Sequence, residues 1–311
     1  MSELKSLLHR QPPSAWELFL RAPCLFLAEK LHSRHRREEE DEEDPVSVVC
    51  ISDTHNNNQI PLPDADVLIH AGDLTQSGSL AELQAAVAWL RAQPHRHKIV
   101  IAGNHDVLLD PGLRDEERAQ IDWGGIKYLC DSSAWITLTG RNGYNSFKVY
   151  GSPRSPRNGN WAFQYARLAD GGGAQSGTAK IPDDTDILVT HCPPRAHLYL
   201  DKNPGCGDLL REVWRIRPAR SPAQRPRLHV FGHVHEGHGH EWVPFDALQH
   251  AYEQMVAAGG GVWNLGKVAW ASTIFLFFRS APGEARCQMV NAAMVGGLRD
   301  EVRRRPVKVY I

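Results

Sequence analysis

The sequence predicts an α/β protein, and three observations carry that expectation. From Val46 onward, short apolar runs end in Gly, Asn or Asp and give way to polar or helical stretches. Hydrophobic residues make up 42% and charged residues 23% of the 311 positions, enough for a sizeable core in one main domain with appendages. Acids and histidines gather where the apolar runs end, and the carboxyl ends of strands are where open α/β sheets place their sites.

The first apolar stretch, Ala15 to Leu31, is interrupted by Glu17, Arg21, Pro23 and Glu29. It cannot span a bilayer, and it lacks the basic start of a signal peptide. The expectation is a helical hairpin or amphipathic segment whose Trp16, Phe19, Leu20, Leu25, Phe26 and Leu27 dock on the main domain. His32 to Arg37 is basic and Glu38 to Asp44 is acidic throughout, so this run repels itself and reads as a solvated linker. Residues 1–45 are therefore an N-terminal helical segment with its linker, and 46–311 the main domain with an insertion at about 241–286.

Within that domain, strands are expected at Val46 to Ser52, Val67 to Ala71, Lys98 to Ala102, Ala134 to Leu138, Phe147 to Tyr150, Ile187 to Thr190 and Leu228 to Phe231. A helix over Leu80 to Arg91 follows Ser79, a good N-cap, and a second over Asp208 to Arg217 stops before Pro218. Phe245 to Ala258 reads as helical, Gly259 to Gly261 breaks it, and Val268 to Phe278 is an apolar run too short to cross a membrane. Periodicity alone leaves that run as a buried strand or helix.

Several function classes are excluded. A net charge of -1 argues against broad electrostatic attachment to nucleic acid, and no specific nucleic-acid module is evident. Six cysteines without CxxC spacing suggest neither a disulfide framework nor a thiolate zinc site, which fits a cytoplasmic setting. No Walker-type loop appears. The 16 histidines are the unusual feature.

Five short motifs hold the acids and histidines that matter: Asp53-Thr54-His55, Gly72-Asp73, Gly103-Asn104-His105-Asp106, Thr190-His191 and Gly232-His233-Val234-His235. On an extended backbone the i, i+2 spacing of Asp53 with His55, and of His233 with His235, points both side chains the same way. Glycines immediately before Asp73, Asn104 and His233 permit tight turns and close backbone approach. The donors are two carboxylates, four imidazoles apart from His105, and one amide oxygen, an O/N set that suits Mn, Fe, Zn or Co, and two ions rather than one. Two divalent ions, two carboxylates and a bridging hydroxide leave one positive charge facing the opening, which favours an anionic phosphate ester. Outside this set, His70 reads as a hydrogen-bonded core histidine, His238 and His240 as candidates to line the pocket, and Cys192 as a buried thiol. The Arg-rich stretch Arg211, Arg215, Arg217, Arg220, Arg225 and Arg227 reads as a solvated face, with phosphate steering as its alternative.

These motifs resemble the calcineurin-like metallophosphoesterase superfamily. Val67-Leu-Ile-His-Ala-Gly-Asp73, Ile101-Ala-Gly-Asn-His-Asp106, Gly151-Ser-Pro153 with Asn160-Trp-Ala-Phe163, and His229-Val-Phe-Gly-His-Val-His-Glu-Gly237 are similar to its metallophosphoesterase-domain-containing branch. The resemblance covers about residues 46 to 240 and a short piece around Val290-Asn-Ala-Ala293. It implies a two-sheet β-sandwich flanked by helices. It also implies one metal held by Asp53, His55, Asp73 and His235 and a second held by Asp73, Asn104, His191 and His233. His105, paired with Asp106, would carry the catalytic role beside them. Residues 241–286 depart from the family's short connection at this point.

The function expected is a dinuclear metal-dependent phosphoesterase, a phosphodiesterase acting on small phosphodiesters or cyclic nucleotides through a metal-bridging hydroxide, with manganese as the first choice of ion. Family protein phosphatases carry Gly-Asp-x-Val-Asp-Arg-Gly, whereas this chain reads Gly72-Asp-Leu-Thr-Gln-Ser-Gly78, and purple acid phosphatases place a tyrosine where Gln76 stands. The alternative is a weakly active or inactive scaffold or nucleotide-binding module on the same fold.

Overall fold

The computed structural model describes residues 14–34, 45–112, 115–140, 143–166, 179–198, 205–216, 226–277, 286–297 and 300–311. The chain divides into two compact units, one comprising Met1–Glu39 with Asp246–Pro282 and the other Glu40–Phe245 with Gly283–Ile311.

In the larger unit the strands run β1 Ser47–Ile51, β2 Val67–Ala71, β3 His97–Ile101, β4 Lys127–Leu129, β5 Ser132–Gly140, β6 Gly143–Ser152, β7 Ser155–Pro156 and β8 Gln164–Tyr165. They continue with β9 Ile187–Thr190, β10 Leu228–Phe231, β11 Gly239–Pro244, β12 Arg286–Asn291, β13 Val295–Gly296, β14 Val302–Arg303 and β15 Val307–Tyr310. One sheet has the order β15-β1-β2-β3-β4 and the other β11-β12-β10-β9-β6-β5. Strands β1 to β4 are mutually parallel, as are β6, β9, β10 and β12. In each sheet, then, the parallel strands bring their carboxyl ends to the same edge. The antiparallel members are β15 against β1, β11 against β12 and β5 against β6.

Alternation along the strands explains the layers. Val48 and Cys50 of β1, Val67, Ile69 and Ala71 of β2, and Ile99 and Ile101 of β3 share one apolar cluster with Ile187 and Val189 of β9 and Leu228 and Val230 of β10. This is the sandwich interior. The intervening residues Val49, Ile51, Leu68 and Val100 face outward and are covered by Leu83, Ala86, Val87 and Leu90 of a helix over Leu80–Arg91. That helix opens with a capping box in which Ser79 accepts the Glu82 amide and Glu82 returns to the Ser79 amide. On the other sheet Leu188, Phe231 and Met289 pack with Leu209 and Val213 of a helix over Gly207–Arg215. A two-sheet α/β sandwich flanked by helices is thus what the chain forms.

The smaller unit is helical. Its α1 Ala15–Arg21 and α2 Pro23–Ser33 are followed, in chain order, by the larger unit's α3 Leu80–Arg91, α4 Asp115–Arg118 and α5 Gly207–Arg215. The unit then resumes with α6 Ala247–Ala257 and α7 Val262–Phe277. Leu25, Ala28 and Leu31 of α2 cluster with Leu248, Ala251 and Met255 of α6 and Leu265, Val268 and Ala271 of α7. Docking of the whole N-terminal apolar set does not hold, because Trp16 and Leu20 are 66% and 63% exposed. The apolar run from Val268 is helix rather than strand, the C-terminal part of α7. Glu241 to Pro244, expected within the insertion, extend β11 along β12. The acidic run Glu38 to Asp44 and the residues Arg217, Arg220 and Arg225 lie outside the described residues.

Candidate metal centre

The five motifs leave the carboxyl ends of β1, β2, β3, β9 and β10, and the structure brings all seven expected ligands together. Sharp local turns make this possible. Asp53, His55, Asp73 and His233 adopt left-handed backbone with φ of 51°, 43°, 54° and 66°, and Gly72 stands at 98°. Such conformations cost a non-glycine residue free energy and cluster at functional sites. The other two glycines serve close approach. A Cβ on Gly103 would collide with the Asp73 carboxylate, and one on Gly232 with the Asp53 carboxylate.

Three overlapping donor groups result: Asp53, His55 and His235; His55, Asp73 and His105; Asp73, His191 and His233. The ligand atoms within each group lie within 4.8 Å of one another. Asp53 Oδ1 lies 3.2 Å from His235 Nε2, and the Asp53 carboxylate also accepts the His233 amide at 3.0 Å. Asp73 Oδ2 lies 3.4 Å from His191 Nε2 and 3.8 Å from His55 Nε2, while Oδ1 accepts the His105 amide at 2.8 Å. His191 donates Nδ1–H to the Ala71 carbonyl at 3.0 Å, which turns Nε2 towards Asn104 Oδ1 at 3.0 Å and His233 Nδ1 at 3.2 Å.

Electrostatics keeps both carboxylates ionised. Burial alone would raise them, but the bond from His235 and the charges of His235, His191 and His55 hold Asp53 far below the usual carboxylate range. Asp73 is held at about 2 against burial by the charge and hydrogen bond of His191. In turn His191 and His235 are raised to about 9 despite burial, by Asp73 and Asp53 respectively. His233 goes the other way, to about 4, through burial and the neighbouring His191 charge.

The arrangement fits divalent ions on a specific observation: both ring nitrogens of His55 are buried without a hydrogen-bond partner. An imidazole so placed is costly unless a ligand-seeking group meets it. The chemistry of the set, carboxylate, imidazole and amide oxygen around a shared Asp73, agrees.

One expected pairing is corrected. Asp106 does not hold the His105 ring. Its buried carboxylate instead accepts the Gly103 amide at 2.8 Å, the Thr75 amide at 3.0 Å, Thr75 Oγ1 at 2.7 Å and the Leu74 amide at 3.2 Å. Burial first, and the Asp73 charge second, push Asp106 up to about 6. Its four donors make it a brace between the β2 and β3 loops. The partner of His105 Nδ1 is the Gln76 carbonyl at 2.7 Å, and the His105 ring is stacked on Trp161 at 4.2 Å and meets His55 edge-on at 4.7 Å.

Several neighbours carry no expected role in the sequence. Asp300 Oδ1 lies 3.3 Å from His235 Nδ1, and Arg304 donates to the His235 carbonyl. Both come from the C-terminal segment, and no local spacing links them to the motifs. Glu82, the capping-box acid of α3, also accepts Asn56 Nδ2 at 2.6 Å and so braces the residue after His55. His238 bonds the Arg305 carbonyl at 3.2 Å and His240 is exposed, and neither joins a donor group. Cys192 is buried, as expected. Arg211 and Arg215 are committed to ion pairs with Asp208, and with Glu212 and Asp183.

A family model of the calcineurin-like phosphoesterases matches residues 46–237. The chain belongs to that family. Metallophosphoesterase domain-containing protein 1 of Homo sapiens is 37% identical over 218 residues, covering 61% of this chain and 61% of its own length. A UPF0046 protein of Caenorhabditis elegans, K07C11.7, is 37% identical over 208 residues, 62% of this chain and 65% of its own. These place the chain in the metallophosphoesterase-domain-containing branch. The "Probable rhamnogalacturonate lyase C" of Emericella nidulans is 42% identical over 315 aligned residues, 99% of this chain but 29% of that protein. The chain thus spans under two thirds of the length of each of these relatives. Among the described residues no helix is long and apolar enough to cross a membrane.

Proposed function

We propose that this metallophosphoesterase-family chain is a dinuclear metal-dependent phosphodiesterase acting on small phosphodiesters or cyclic nucleotides. The observation that carries the reading is the set of three overlapping donor groups sharing His55 and Asp73. In it Asp53, His55, Asp73 and His235 would hold one ion, and Asp73, Asn104, His191 and His233 the other, manganese being the first candidate. The ions, when bound, supply Lewis acidity towards phosphoryl oxygens and make water a nucleophile at neutral pH.

The chain's own residues do the rest. The Ala71 carbonyl fixes which nitrogen His191 presents. Asp106 ties the loop carrying Asn104 and His105 to the loop carrying Asp73. With Nδ1–H of His105 donated to the Gln76 carbonyl, the ring has a proton to give only as the imidazolium, and Nε2 is the atom that would pass it to the departing ester oxygen. Trp161, 46% exposed, stacks on this ring and limits its rotation. The sequence Gly72-Asp-Leu-Thr-Gln-Ser-Gly78 supports a diester over a phosphoprotein substrate. The lyase activity in the name of the Emericella nidulans relative is not carried over, since this chain corresponds to 29% of that protein and its residues 46–237 match the phosphoesterase model. Six free thiols support a reducing, cytoplasmic setting.

The test is a substrate panel on protein reconstituted with Mn2+. Bis-nitrophenyl phosphate or a cyclic nucleotide should show the higher kcat/KM, and a phosphoserine peptide the lower. The reverse ranking refutes the diester reading, and full turnover in rigorously metal-free protein refutes the dinuclear one.

A further inference from the structure

Two buried histidines outside the donor set stand behind it, one in each sheet. His70 on β2 and His229 on β10 are 1% and 0% exposed. His70 Nδ1 accepts the Gly72 amide at 3.3 Å, so its proton resides on Nε2. That Nε2–H reaches Thr54 Oγ1 at 3.0 Å, and the Thr54 hydroxyl donates in turn to the Leu74 carbonyl at 3.4 Å. Thr54 stands between Asp53 and His55, and Leu74 follows Asp73. One neutral imidazole therefore ties the β1 loop to the β2 loop.

The second sheet repeats the device. His229 Nε2 lies 2.8 Å from Thr190 Oγ1, and the Thr190 hydroxyl donates to the Cys192 carbonyl at 2.8 Å. A hydroxyl has a single proton, so His229 is the donor to it. Thr190 and Cys192 flank His191. Neither His70 nor His229 belongs to a donor group able to hold an ion, among the described residues.

We propose that His70 and His229 are positioning residues, each fixing through a threonine hydroxyl the backbone that presents ligands of the metal pair. His70 serves Asp53, His55 and Asp73, and His229 serves His191. The left-handed backbone of Asp53, His55 and Asp73 supplies the physical reason. A strained conformation persists only where its surroundings over-determine it, and the His70–Thr54–Leu74 chain links the peptides that carry all three. This inference rests on the dinuclear reading above.

A core histidine that merely satisfies its own hydrogen bonds would affect stability alone, so the readout is metal affinity. Thr54→Val and Thr190→Val keep the side-chain shape and remove only the hydroxyl. Mn2+ titration calorimetry on the metal-stripped full chain should show affinity weakened about 10- to 100-fold in each, the range typical of residues that orient metal ligands. His70→Gln, which retains an N–H near the position of Nε2, should recover most of the affinity that His70→Ala loses. His95→Ala removes a buried histidine bonded to the Pro63 carbonyl, away from the centre, and should leave affinity unchanged. If His70→Ala does not fold, the two valine variants carry the test. Wild-type affinity in both valine variants, with two ions bound, overturns the proposal and leaves the histidines a core role. A wild-type chain that binds fewer than two Mn2+ overturns the dinuclear reading itself, an outcome visible before any variant is made.

Discussion

The two halves of the centre are built from different chemistry. The first sheet delivers Asp53, His55, Asp73 and Asn104 on loops whose backbone is left-handed at three of those four positions, whereas the second delivers His191, His233 and His235, left-handed only at His233. The carboxylates stay ionised in a dry site because the imidazoles opposite are charged, and His191 and His235 are raised because the carboxylates are there. In the first sheet His55 and Asp73 each belong to two of the three donor groups, while His191, His233 and His235 of the second sheet each belong to one.

The most damaging way to probe this asymmetry is to compare Asp73→Ala with His233→Ala. Asp73→Ala should lose both ions and all measurable turnover, and His233→Ala should lose one ion, read by elemental analysis of the purified proteins. Equal losses would end the asymmetry, and loss of a single ion from Asp73→Ala would move the bridge elsewhere.

His105 lies at the boundary between metal binding and catalysis, since one of its ring nitrogens lies within 4.8 Å of the donor atoms of His55 and Asp73. As a proton donor it should contribute about 10²- to 10⁴-fold to rate. His105→Ala should therefore lower kcat by that range on a poor leaving group, less on a nitrophenyl ester, with two ions still bound. Loss of an ion alongside activity would make it a ligand.

Where the halves agree is in their buried neutral histidines. An unfolded histidine takes a proton near pH 6.5, whereas burial depresses His70 to about 4 and His229 to about 3. Between those values the unfolded chain binds protons that the folded one refuses, so their contribution is intact above about 6.5 and is lost as pH falls towards 4. Each should remove of order 2 kcal/mol by pH 5. Urea titrations at pH 7 and pH 5 measure this, and equal stability at the two values would contradict it.

The smallest effect is expected at Trp161. Ring stacking is worth about 0.5 to 1.5 kcal/mol, so Trp161→Leu should reduce kcat roughly 2- to 10-fold through a looser His105, with KM for a small aliphatic diester unchanged. A change confined to KM would make Trp161 a substrate contact instead.

Part of this was legible in the chain and part was not, for a consistent reason. Asp53 with His55, and His233 with His235, are readable as donors because each pair closes a short motif after an apolar run, but the extended spacing is not what aims them: Asp53, His55 and His233 are left-handed, and His233 and His235 join different donor groups. The glycines before Asp73, Asn104 and His233 are readable because a close approach leaves no room for a Cβ. The helix over Leu80–Arg91 follows from Ser79, a local capping signal that the structure completes with Glu82. By contrast, Val268 onward could not be told from a strand, since a nearly all-apolar run has too little period to measure. β4, β11 and β15 escaped notice because their pairing partners, not their own short sequences, make them strands.

Residue identity and the family resemblance thus pointed to candidate donors, their order along the chain and the sheet ends that carry them, although His105, kept outside that set, also joins a donor group. Tertiary structure decided which group each donor answers to. Asp106 turns to Thr75 and the Leu74 amide, about thirty residues back, rather than to its neighbour His105. His105 finds the Gln76 carbonyl, and His235 finds Asp300 from the far end of the chain. Hydrogen bonds and charges act through space, and a partner brought close by the packing of two sheets leaves no mark in the spacing of the sequence.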